Sequence, residues 1–145
     1  MFSRFIFYIF SIFLFQLNSG ITQTSGWDQL SDVTIKKEFN DYLGFEVEVP
    51  EFSDSIKKLQ GSTIQLDGYI IPIEGYKSHT EFIFSAYPYN MCYFCGGAGP
   101  ETVMEVEAQK PIEFTSEKIS IQGILHLNSK DPNRLMFILE KAELL

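Results

Sequence analysis

The sequence predicts an all-β fold with a minor helical component: a small barrel of five strands preceded by one short helix. Three observations predict it. Everything after Gly61 divides into short segments of alternating apolar and polar residues, the period of a half-buried strand. Two of these segments carry a glycine four residues after an isoleucine, at Gly68 and Gly123, where a strand bends sharply and a Cβ would clash. Before Gly61, only Phe52 to Gly61 has helix-end chemistry.

The elements follow in order. Residues 1–20, MFSRFIFYIFSIFLFQLNSG, hold a short positive region at Arg4, an apolar run from Phe5 to Phe15 and a polar close, the layout of a secretory signal peptide. The run is too short for a comfortable membrane span, which needs about 20 apolar residues, so no integral span is expected in the mature form. Residues 21–52 read as a lead-in and arm, with Trp27 and Leu30 placed to dock on the domain and the alternation Phe45-Glu46-Val47-Glu48-Val49 forming a strand or extended arm that Pro50 would stop. Residues 53–145 form the barrel domain. Its short helix has Ser53 as cap, Asp54 at the positive end of the dipole, Lys57 and Lys58 at the other, and Gly61 just past the end.

The five predicted strands cover residues 63–73, 81–86, 101–107, 118–127 and 135–142. In the first, Ile64, Leu66 and Gly68 share one face while Tyr69, Ile71 and Ile73 share the other, so the pattern changes phase at the glycine. In the third, Glu105 and Glu107 alternate with Met104 and Val106 and mark a solvent face. Five short strands with two glycine kinks suit an OB-like closed barrel better than a sandwich, which wants about seven. Residues 108–117 contain Pro111 and give little sign of the helix that many OB folds place there.

The only two cysteines form Cys92-Tyr93-Phe94-Cys95. Such a pair closes a disulfide, holds a metal or shuttles electrons, and the three uses stand open. Export favours an oxidising space where a disulfide persists. A metal, zinc or another transition metal, needs further ligands. His79 precedes the second strand and so lies at the wrong end, whereas His126 ends the fourth strand at the end from which the cysteines emerge; the candidate set is Cys92, Cys95 and His126. A redox role lacks a helix start, because Gly96-Gly97-Ala98-Gly99-Pro100 follows the pair. No catalytic residue and no cofactor-binding loop is assigned: a phosphate loop would need Gly-Lys-Ser/Thr after the glycines, and two histidines give a Ser/His/Asp triad little support.

The string LQGSTIQLDGYIIPI of residues 59–73, with Phe82 to Ser85, Cys92-x-x-Cys95 and Gly123-x-Leu125, resembles a family of exported bacterial proteins catalogued as domain of unknown function 3299. The likeness runs from about Trp27 to the C-terminus. It implies a small secreted or periplasmic β-barrel and brings no established activity.

The chain carries a formal charge of −8, which becomes −9 without Arg4. An acidic domain repels phosphate backbones, so nucleic-acid binding is not expected even though Tyr87, Tyr89, Tyr93 and Phe94 flank the cysteines. The functional expectation is an exported, non-enzymatic binding or accessory domain of the bacterial envelope, serving an envelope protein or transport component and binding metal through Cys92 and Cys95. Its rival is an envelope thiol–disulfide or metal-dependent enzyme using the same pair.

Overall fold

Trp27 and Leu30, the two apolar residues expected to dock on the domain, set the first element. The computed structural model describes residues 26–72 and 80–145; the expected signal peptide at 1–20, Ile73 and His79 lie outside the described residues. A 3-10 turn at Gly26–Leu30 buries both side chains. The Trp27 indole N–H donates to the Asp67 carbonyl at 2.9 Å, and its ring stacks near Phe84. Residues 26–30 of the lead-in are thus part of the core.

A hairpin follows. β1 (Val33–Asn40) pairs antiparallel with β2 (Phe45–Phe52) from Val33↔Phe52 to Asn40↔Phe45. The turn is chemical: the Asn40 side-chain oxygen accepts from the backbone N–H of Tyr42 and Leu43, and Gly44 closes the loop at φ +74°, a left-handed position that glycine tolerates. The expected extended arm is therefore two strands, and Pro50 does not stop the second. Proline is compatible with a strand whose outer edge needs no donor; among the described residues β2 pairs with β1 alone.

The helix is short, α1 (Asp54–Lys57), with Ser53 at its cap accepting from Ile56 N–H; it ends at a right-handed Lys58, so Gly61, in the left-handed region, closes the turn that follows rather than the helix itself. Five strands then close a barrel: β3 (Thr63–Ile71), β4 (Glu81–Ser85), β5 (Val103–Ala108), β6 (Ile119–Leu127) and β7 (Phe137–Leu144), in the order β3-β4-β5-β7-β6. β5 and β7 are parallel and every other pair is antiparallel. This is the strand order of an OB-like barrel. Residues 109–118 hold no helix; Ile112 instead reaches into the core.

The barrel interior is filled by alternate residues: Ile64, Leu66 and Ile70 of β3, Phe82 and Phe84 of β4, Met104 and Val106 of β5, Ile121 and Leu125 of β6, Phe137 and Leu139 of β7. β3 keeps one phase throughout, because Ile70 continues the inward row of Ile64 and Leu66. Ile71 looks out of phase since it is buried on the outer face. Gly68 is needed for close approach: a Cβ there would meet the Ser85 carbonyl and the Phe84 ring. Gly123 plays the same part against Leu139 and the Glu140 carbonyl, where β7 bulges and Lys141 takes φ +52°.

Candidate functional site

Two loops cover the outer face of β4 and β5, and they frame the site. The first runs from residue 86 to 102 through 3-10 turns at Tyr89–Met91, Tyr93–Cys95 and Pro100–Thr102. It is pinned by Cys92, which is fully buried against Ile71, Ile83 and Val103, with Tyr69, Tyr93 and Leu135 around them. This is a satellite cluster under a long loop, and it explains why outward residues of three strands are apolar. The Cys92 carbonyl accepts from both Cys95 N–H and Gly97 N–H, and Gly96 turns the chain at φ +75°.

Cys92 and Cys95 are free thiols, the first buried and the second exposed. They lie close enough to hydrogen-bond to each other. Partial desolvation, the neighbouring Cys92 charge and that hydrogen bond together push the Cys95 thiol up from its ordinary value. A raised thiol is mostly protonated at neutral pH and is a weak nucleophile, the reverse of what an exchange enzyme needs in its attacking cysteine. In the folded chain iodoacetamide is expected to modify Cys95 alone. Its rate at pH 7 is expected to fall below that of the same cysteine in the urea-unfolded chain, with the difference closing as pH rises past the raised pKa. Peptide mass mapping over a pH series checks this, and a folded rate above the unfolded one would contradict it.

His126 stands apart from the pair. Its Nδ1 is 3.1 Å from Gln60 Nε2, and Gln60 Oε1 accepts from Leu127 N–H. Both β4 and β6 run antiparallel to β3, so the parity that placed His126 at the cysteines' end is right. His126 pairs with Ile138 of β7, while Cys92 packs on Ile71, Ile83 and Val103, with Leu135 beside them. Among the described residues no group of three or more His, Cys, Asp or Glu side chains is placed to hold a metal ion. Cys92 and Cys95 alone leave a tetrahedral zinc ion two ligands short.

The second loop, the β6–β7 connection at residues 128–136, is held by charge. Arg134 spreads across two carboxylates, Nε and Nη2 to Glu105 and Nη2 to Glu107, each at 2.7 Å, while Leu135 N–H donates to the other Glu105 oxygen at 2.7 Å. Burial alone would lower the Arg134 pKa; hydrogen bonds and charge from Glu107 and Glu105 outweigh it and raise the group. Glu105 is only 8% exposed, so the expected solvent face of β5 is a clamp instead. Asn128 closes the connection on itself, donating to carbonyls of Asp131, Arg134 and Leu135 and accepting from Lys130 and Asp131 N–H.

Between this clamped loop and the β1–β2 arm lies an open groove of about 770 Å³. Tyr93 and Pro100 of the cysteine loop line its side, so the outer cluster and the groove share a wall. At the arm's distal end Phe39 is 63% exposed and Tyr42 95%, with Leu43 and Phe45 also on the surface. The sequence offered one signal for this arm that went unread: Asn40 and Gly44 bracketing a turn between two alternating runs.

Among the described residues no helix is long and apolar enough to cross a membrane. No family model matches the chain, and no curated protein matches it. In structure this chain is similar to a DUF3299 family protein (PA4066) from Pseudomonas aeruginosa PAO1, whose crystal structure is 19% identical over 66% of this chain and 67% of that chain, with a TM-score of 0.47.

Proposed function

We propose that this chain is an exported, non-enzymatic binding domain of the bacterial envelope, an accessory to an envelope protein or transport component, and that its working surface is the β1–β2 arm with the groove beside it. One observation carries the reading: a two-stranded arm stands off a closed barrel and presents Phe39, Tyr42, Leu43 and Phe45 to solvent. An isolated hairpin is marginal in water, and large apolar side chains grouped on an exposed element mark a contact surface. The core needs none of them, since the barrel is filled by its own inward rows. The cysteine loop supports the same reading as a stiffener of one groove wall. The full burial of Cys92, the first cysteine of the pair, weighs against the rival reading as a thiol–disulfide enzyme, whose attacking thiol must be reached. Metal held through Cys92 and Cys95 enters this function only where a bound partner brings the remaining donors.

The test is photo-crosslinking in the exporting cell. A photoreactive residue at Tyr42 or Phe39 is expected to give a discrete adduct. The same residue at Lys110, an exposed position outside both the arm and the groove lining, is expected to give none. Adducts that are equal at both places, or absent from the arm, would overturn the reading.

A further inference from the structure

We infer that the arm binds an extended peptide strand of a partner protein, one that alternates basic and β-branched residues, by adding it to the free edge of β2. The inference rests on the binding reading above and names the occupant.

The groove shows where the strand would lie. Its arm wall includes six consecutive residues of β2, from Phe45 to Pro50, together with Ile35, Glu38, Phe39 and Asn40 of β1. Successive strand residues point to opposite faces, so the unbroken β2 run brings that strand's edge into the groove, and the β1 residues add part of the hairpin's face. That edge is the unpaired side of β2, since its other side pairs with β1 and the barrel is closed without it. The opposite wall is the continuous connection of residues 128–136, which Arg134 and Asn128 hold in place. A slot between an unpaired edge and a fixed wall fits one extended chain, and backbone ladder bonds supply affinity there.

Charge states which chain. Along β2, Glu46 and Glu48 share one face and Phe45, Val47 and Val49 the other. Among the described residues neither Glu46 nor Glu48 makes an ion pair, although Lys37 stands across the ladder from Glu48. Lys36 pairs with Glu51 at 2.8 Å and Arg134 with Glu105 and Glu107; Lys130 is the other cation lining the groove, against Glu38, Glu46, Glu48 and Asp131, so the lining is acidic in balance even with Lys37 beside Glu48. Opposite charges directly across a ladder stabilise it and like charges weaken it. A strand with Lys or Arg beside Glu46 and Glu48, and Val, Ile or Tyr beside Val47 and Val49, satisfies both faces. A second copy of this chain suits the edge poorly, because it brings the same glutamates and another formal charge of −8.

The probe is a fluorescein-labelled, end-blocked octapeptide of alternating lysine and valine, titrated onto the full exported protein by anisotropy. A glutamate–valine octapeptide and a lysine–valine octapeptide N-methylated at alternate residues are the comparisons. The lysine–valine peptide is expected to bind at least tenfold more tightly than either. Glu46→Gln with Glu48→Gln is expected to weaken it at least fivefold and flatten its salt dependence. Amides of β2 are expected to gain hydrogen-exchange protection, which plain charge attraction would not produce. Equal binding of the N-methylated peptide, equal binding of the acidic one, or unchanged β2 exchange would overturn strand addition. So would a dimer in sedimentation that dissociates on Glu46→Gln with Glu48→Gln, which would make the occupant a second copy. Crosslinks from Tyr42 that persist while the peptide fails would leave the binding function standing and remove only this occupant.

Discussion

Replacing Gly68 with alanine is expected to cost about 3 kcal/mol of stability, the upper part of the range for overpacking a fixed core. A Cβ at Gly68 would run into the Ser85 carbonyl oxygen and sit 2.9 Å from Phe84 Cε1. The first contact is backbone and cannot rotate away. Relief requires β3 and β4 to part at Tyr69↔Ser85, where their pairing is only three residues long. Phe84 would have to move as well, and it is a fully buried ring packed near Trp27. Against a total of about 5–15 kcal/mol for such a domain, this is a large fraction. Gly61→Ala is the control, because Gly61 has φ +75° but open space where the Cβ would go. It carries only the left-handed penalty of about 1 kcal/mol. Urea unfolding followed by Trp27 emission, the chain's single tryptophan, measures both. Equal losses at the two glycines would show that the close approach at Gly68 is not what matters.

That contrast also separates what was legible in the sequence from what was not. Strand existence was legible because inward rows such as Ile119, Ile121, Gly123 and Leu125 alternate without interruption, and the helix start was legible because Ser53 is a local signal, whereas its end fell short of Gly61, at Lys58. The outer cluster was not. Ile71, Ile83 and Val103 are apolar because Cys92, which lies 21, 9 and 11 residues from them in sequence, brings its loop back over them, and alternation alone rendered that second burial as a phase change. Glu105 has the same history: its partner lies 29 residues on, so its neighbours in sequence describe it as solvent-facing. The arm was half legible, with its alternating second strand plain and its first strand hidden by Lys36, Lys37 and Glu38. For the site, both cysteines lie on a groove-lining loop as a local motif would have it. His126 was placed by strand direction, which a linear pattern carries; its hydrogen bond to Gln60, 66 residues away in sequence, is not a local signal.

Arg134→Leu is expected to destabilise the protein by about 2–3 kcal/mol and to loosen the groove wall. Removing one partner of a fully buried ion pair costs about 3–5 kcal/mol, and the figure is discounted here because the Arg134 side chain is 36% exposed while that of Glu105 is 10% exposed. The loss has two parts. Glu105 keeps a single donor, Leu135 N–H, for a carboxylate that now lacks its counter-charge. Glu107 stands directly across the ladder from Glu81, and without the guanidinium these like charges face each other unrelieved. Arg134→Lys is expected to restore less than half the loss, since a compact ammonium cannot fork across two carboxylates. Glu105→Gln combined with Arg134→Leu is expected to cost less than the two single changes added, the signature of groups that share one interaction. Urea unfolding supplies the energies. Hydrogen exchange across residues 128–136 supplies the structural reading: protection there is expected to fall in Arg134→Leu at denaturant concentrations where the barrel strands remain protected. A uniform loss of protection would make the clamp a general stabiliser of the barrel, whereas a local loss ties Arg134 to the wall against which an incoming strand would rest.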